Sequence, residues 1–180
     1  VAFGDSLTAG FRLNKTNAYP AIFQKLMIDQ GYKVDVVNAG VSGDTSAQAL
    51  KRVDWVLKSQ EFDWAIVCIG ANDGLRNQSL QAMESNLLQI VEKFQNRNVK
   101  VLLFGMKLPV NLDAEYRKNF EKVFSRVASK KKTSFYPFLL DGVAGNPDLQ
   151  LDDQIHPNEE GQKRVADHVK KVFIGALKSK

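Results

Sequence analysis

The chain has 180 residues, 44% of them apolar and 25% charged, with a formal net charge of +5. That length leaves room for a single domain, 1–180, and the ordinary composition excludes collagenous, low-complexity and disordered chains. The charge sits in the second half, yet its densest cluster, Lys130-Lys131-Lys132, is too short for the footprint of a nucleic-acid binder and reads as a solvated helix end.

Apolar runs at Val1–Phe3, Val34–Val37, Trp64–Ile69, Val99–Phe104 and Thr133–Tyr136 are uninterrupted rather than alternating, as suits parallel strands covered on both faces. The first begins at residue 1 without a methionine, so we expect a true N-terminus, and any targeting segment, to lie upstream of Val1. Between the runs the apolar spacing becomes helical. Ile22, Phe23, Leu26 and Met27 precede Gly31 as a stop, and Leu50, Val53, Val56 and Leu57 follow a start at Thr45/Ser46. Leu80 to Phe94 and Tyr116 to Val127 form two more stripes, and a last helix is predicted to start at Pro157. Strand and helix alternate throughout, which predicts a three-layer α/β domain on a five-stranded parallel sheet, with any ligand beyond the carboxyl ends of the strands. Cys68, the single cysteine, lies inside an apolar run and is expected to be buried. No run approaches the roughly 18 residues of a membrane span, so no stable membrane insertion is expected.

The first three runs lead into polar, glycine-rich loops: Gly4–Gly10, Asn38–Thr45 and Gly70–Gly74. Far downstream, Asp153-Gln154-Ile155-His156-Pro157 precedes the last helix. A serine hydroxyl attacks a carbonyl only when a base takes its proton. His156 is the candidate base for Ser6, because the other histidine, His168, falls beside the apolar stripe of the last helix and reads as structural. Asp153, three residues before His156, is near enough to fix the imidazole tautomer, and Asp152 is a competing but more solvated carboxylate. Donors for an oxyanion are on offer from the Ser6 N–H, the Gly43 N–H and the Asn72 amide. Taken singly, these residues could equally be a helix cap, a turn and an Asx turn.

Asp5, Asp44 and Asp73 leave a second reading open, a Mg²⁺ site for phosphoryl transfer at neighbouring strand ends. Against it, Asp44 reads as a helix N-cap and the other two can bond nearby loop amides. A third reading is a domain that binds an acyl or glycan ligand without turning it over.

Joined together, Gly4-Asp5-Ser6-Leu7, Gly43, Gly70-Ala71-Asn72-Asp73-Gly74 and Asp153-x-x-His156-Pro157 resemble the blocks of the SGNH (GDSL) hydrolases. The longer strings around Gly43, Asn72 and His156 are similar to the bacterial branch of thioesterase, lysophospholipase and arylesterase enzymes. The resemblance implies Ser6, Asp153 and His156 as catalytic residues and Ser6, Gly43 and Asn72 as oxyanion hole. It also implies a flavodoxin-like sheet in the order 2-1-3-4-5, no cofactor, small-molecule ester or thioester substrates, and a periplasmic or secreted home. No nucleic-acid partner is expected, and a monomer is assumed. Leu75, Met106, Leu108, Val110 and Leu112 are the candidates for an acyl groove, although relatives often carry an aromatic where Leu112 stands.

Overall fold

The computed structural model describes residues 1–178. Five parallel strands form one sheet in the order β2-β1-β3-β4-β5: β1 (Ala2–Gly4), β2 (Asn38–Gly40), β3 (Trp64–Cys68), β4 (Lys100–Phe104) and β5 (Ser134–Tyr136). The helices are α1 (Ser6–Ala9), α2 (Tyr19–Asp29), α3 (Ser46–Ser59), α4 (Ala71–Leu75), α5 (Leu80–Gln95), α6 (Ala114–Lys131) and α7 (Glu159–Lys178). A right-handed crossover from β1 back to β2 puts α2 on one face, where it packs on α7. The crossovers running the other way put α3, α5 and α6 on the opposite face, packed in that order. The chain therefore reverses its direction of travel across the sheet at β1, and in open α/β sheets ligands bind beyond the carboxyl ends of the strands at such a reversal.

The central strands are apolar on both sides because both sides are covered. Phe3, Val67, Cys68, Leu103 and Phe104 are all inaccessible to solvent. Helix boundaries follow their caps. The Thr45 side chain accepts from the Gln48 N–H while the Gln48 side chain accepts from the Thr45 N–H, a capping box that starts α3. Gly31, in the left-handed region at φ 85°, follows the end of α2. The lysine cluster closes α6, with Lys130 paired to Glu84 and Lys131 to Glu92.

Three expectations need correction. The second strand is Asn38–Gly40, not Val34–Val37. The Val36 N–H goes to the Gln24 side chain instead of a ladder, and pairing with β1 opens only where the Ala2 N–H meets the Val37 carbonyl. The last helix starts at Glu159, not Pro157, because Pro157 is held in an antiparallel bridge to Gln150 and Asn158 accepts the Gly161 N–H. Asp44 does not cap α3; Thr45 does, and Asp44 pairs with Arg52.

Candidate active site

The residue after β1, Asp5, is buried and caps α1 by accepting the Leu7 N–H at 3.1 Å, so the chain turns sharply and Ser6 becomes the first residue of the helix. At that position its N–H has no helical carbonyl to meet. The loop after β2 is drawn in by the Val41 N–H, which donates to the Gly4 carbonyl at 3.0 Å. Gly40 lies so close to α1 that a Cβ there would sit 2.3 Å from the Ala9 nitrogen. Gly43 has φ 85°, a left-handed conformation that suits glycine, and a Cβ there would lie 3.9 Å from Arg76 Nη2.

From the far end of the chain, residues 150–157 form a closed loop. The Leu151 N–H donates to the His156 carbonyl at 2.7 Å and the Gln150–Pro157 bridge seals its base. Within the loop Asp153 Oδ1 accepts the N–H groups of Ile155 and His156, both at 2.9 Å, while Oδ2 lies 2.8 Å from His156 Nδ1. His156 Nε2 lies 2.8 Å from Ser6 Oγ, 150 residues away in sequence. Partial burial alone would raise the Asp153 carboxyl. The two backbone bonds and the imidazole outweigh it and hold the group at about 2, so it stays a carboxylate. Asp152, the competing carboxylate, is exposed and makes none of these contacts.

Asn72, in α4, donates one amide hydrogen to the Asp44 carbonyl at 3.0 Å, which fixes the plane of the group; a side-chain amide has a second hydrogen to offer. Its neighbour Asp73 accepts the Ser46 N–H at 2.7 Å and the Ser46 hydroxyl, tying the start of α3 to the loop after β3. Thus Asp153, His156 and Ser6 are in contact in series at the carboxyl edge of the sheet, and Gly43 and Asn72 lie on the segments that follow β2 and β3 at the same edge. A hydroxyl, an imidazole and a carboxylate in series can move a proton off the oxygen.

The remaining candidates divide. Met106 and Leu108 are core residues, Leu108 packing on Gly74, and are not free to line an open groove. Leu75 is 38% exposed and Val110 85%, while Leu112 is partly buried against the core. A half-open cavity of about 230 Å³ lies at the opposite edge of the sheet, among Val34, Phe62, Trp64 and Phe173. His168 is structural: burial lowers its pKa, and its ring packs edge-on against Tyr136 and Phe104. Asp5, Asp44 and Asp73 are engaged by Leu7, Arg52 and Ser46 respectively, and among the described residues no three His, Cys, Asp or Glu side chains gather as metal ligands. The phosphoryl-transfer reading therefore lacks a ligand set.

Two residues of the site escaped the sequence. Phe11 stacks on the His156 ring with centroids 4.4 Å apart, and Arg52 reaches the strand ends from the middle of α3. An aromatic or a cation at an unremarkable helical or loop position carries no signal of such a contact.

Residues 2–164 match the model of the GDSL-like lipase/acylhydrolase family. Among curated relatives, the chain is 37% identical over 166 residues to esterase TesA of Pseudomonas aeruginosa, covering 92% of this chain and 83% of that one. It is 36% identical over 168 residues to thioesterase 1/protease 1/lysophospholipase L1 of Escherichia coli, covering 93% and 79%. The crystal structure of TesA superposes with a TM-score of 0.94 at 35% identity, covering 98% of both chains.

Proposed function

Since the chain belongs to the GDSL-like lipase/acylhydrolase family and is a serine ester hydrolase, we propose that it works through an acyl-enzyme on Ser6. The observation that carries this reading is the unbroken series Asp153–His156–Ser6, two contacts of 2.8 Å each. His156 Nε2 takes the Ser6 proton as Oγ attacks the ester carbonyl. The Ser6 N–H, the Gly43 N–H and the Asn72 amide hold the oxyanion that forms. His156 then gives its proton to the leaving alcohol or thiol as the tetrahedral intermediate collapses. Water attacks the acyl-enzyme with His156 again as base, which frees the acid and restores Ser6. Asp153, ionised throughout, holds Nδ1 protonated and stabilises the imidazolium; the face of Phe11 is a further favourable neighbour for that cation.

Short-chain and aryl esters are the proposed substrates, because Val110 and Leu75 are exposed while Met106 and Leu108 are buried, which leaves little apolar wall for a long acyl chain. Thioesters are a second reading, supported by the Escherichia coli relative's name. Hydrolysis of p-nitrophenyl esters and acyl thioesters of increasing chain length decides between them. Inactivation by a serine-directed phosphonate, and loss of turnover in Ser6→Ala, test the nucleophile; full turnover in Ser6→Ala would refute it.

Among the described residues no helix is long and apolar enough to cross a membrane. We further propose a monomer acting in the periplasm, the location resting on family resemblance alone. Size-exclusion chromatography and cell fractionation test the two points.

A further inference from the structure

Arg52 reaches the strand ends beneath the site, and all three nitrogens of its guanidinium donate hydrogen bonds; Arg76 meets the Gly43 carbonyl separately, at 3.1 Å. Nε donates to Asp44 Oδ2 at 2.6 Å, Nη1 to the Ala39 carbonyl at 2.9 Å and Nη2 to the Gly4 carbonyl at 2.9 Å. Its Cζ lies 4.3 Å from the centre of the Phe3 ring, and the side chain is only 19% exposed. Two of these acceptors are tied to the donors of the proposed oxyanion hole, and the third, Ala39, lies in β2, which leads into the loop that carries Gly43. Gly4 stands two residues before Ser6, and its carbonyl also accepts the Val41 N–H that draws in the second loop. Asp44 follows Gly43 directly, and the Asp44 carbonyl is what orients the Asn72 amide.

We propose that Arg52 is a positioning residue for the oxyanion hole, fixing the mutual spacing of the Ser6 N–H, the Gly43 N–H and the Asn72 amide before substrate arrives. This rests on the reading of those three groups as the oxyanion hole. Preorganisation matters because donors that must first move into place spend their stabilisation on that movement. Arginine suits the task because its fork is rigid and always charged, whereas a lysine ammonium is a point charge on a flexible stem and cannot span three acceptors in one plane. The acceptors are two main-chain carbonyls and a carboxylate on different segments, so no shorter side chain at this place on α3 would link them.

The test compares Arg52→Met, Arg52→Lys and Asn72→Ala in steady-state hydrolysis of p-nitrophenyl butyrate and in binding of butylboronic acid, whose serine adduct carries the tetrahedral charge. Thermal melts establish that each variant is folded. Arg52→Met is expected to lower kcat by on the order of 10²-fold, the usual cost of displacing reacting groups by an ångström. KM should stay within about twofold, since the interaction is made only in the transition state. Boronate affinity should fall with kcat, and Arg52→Lys should recover part of both because its ammonium still meets Asp44. A folded Arg52→Met that keeps its kcat and boronate affinity, or loses efficiency through KM alone, overturns the proposal. Should Arg52→Met fail to fold, Arg52→Lys and Asp44→Asn are judged by the same split between kcat and KM. If Asn72→Ala lowers kcat and boronate affinity while both Arg52 variants do not, only the role of Arg52 fails. If Asn72→Ala also leaves them intact, the oxyanion reading fails and this proposal with it.

Discussion

Replacing Gly40 with alanine would drive a methyl group into the helix that carries Ser6. The new Cβ would lie 2.3 Å from the Ala9 nitrogen, 2.7 Å from the Thr8 carbonyl carbon and 2.8 Å from the Ala9 Cα, all main-chain atoms. Ordinary contact begins near 3.4 Å, so the two segments must separate by about 1 Å, the gap between 2.3 and 3.4 Å. The φ of Gly40 lies outside the left-handed region, so the penalty comes from this contact and not from backbone strain. A retreat of α1 by that distance would stretch the 2.8 Å Ser6–His156 contact beyond hydrogen-bond reach. We expect kcat toward p-nitrophenyl butyrate to fall on the order of 10²-fold. Overpacking of this kind costs about 1–3 kcal/mol, which in a domain of this size lowers Tm by roughly 2–4 °C per kcal/mol. Steady-state kinetics and a thermal melt on the same preparation read both effects. If Gly40→Ala matched the wild type in kcat and in Tm, the close approach of α1 to β2 would not be what sets the nucleophile.

Asp153→Asn keeps the side chain's shape but not its charge, and kcat should drop by about 10⁴ with KM nearly unchanged, as expected when the imidazole loses its tautomer control; an activity within tenfold of wild type would refute the assignment. The same carboxyl is held well below the usual carboxylate range, at about 2 in the fold, so its stabilising contribution is complete above pH 4 and is lost as the pH falls through 2. Acid melts of wild type and Asp153→Asn should therefore converge toward pH 2. Asp5 behaves in the opposite sense. Burial outweighs the Leu7 bond and raises its carboxyl to about 7, so the folded state keeps a proton that the unfolded chain releases near pH 4. Stability attributable to Asp5 should decline as pH rises from 4 to 7 and level off above, and Asp5→Asn should flatten that slope in melting curves; an unchanged slope would count against it. Gly175 lies in α7 with open space around a prospective Cβ, so Gly175→Ala should stabilise the fold by up to about 1 kcal/mol in denaturant titration.

The strands that proved readable are those whose apolar runs are buried for the same reason they pair. Trp64–Cys68 and Lys100–Phe104 lie in the middle of the sheet, covered on both faces, and their positions differ from the apolar runs by a residue at one end. The edge strand β2 misled because burial and pairing separate there. Val34, Val36 and Val37 are half-buried without forming a ladder, while the paired residues Asn38–Gly40 are polar or small so that Gly40 can approach α1. Ser6, Asp153 and His156 were legible because their chemistry demands particular residue types, and Asp153 and His156 were adjacent enough to be read together. Arg52 was not, because its partners are main-chain carbonyls and a carboxylate brought near by the fold; on a helix with an apolar stripe a lone arginine looks like solvent-facing charge. The five-residue α4 reads as loop in the sequence for a related reason, since it is too short to show any periodicity.

The closed loop of residues 150–157 carries a consequence for motion. Asp153 and His156 ride on it together, fastened to each other by two hydrogen bonds, with a third from the Ile155 N–H to Asp153, while His156 reaches outward to the Ser6 hydroxyl and the Phe11 ring. A thermal swing of the loop therefore alters the distances to Ser6 and Phe11 and leaves intact the two Asp153–His156 bonds that set the imidazole's tautomer. In the proposed mechanism His156 can part from Ser6 and return with its tautomer already set, so that breathing at this edge interrupts proton transfer without scrambling it.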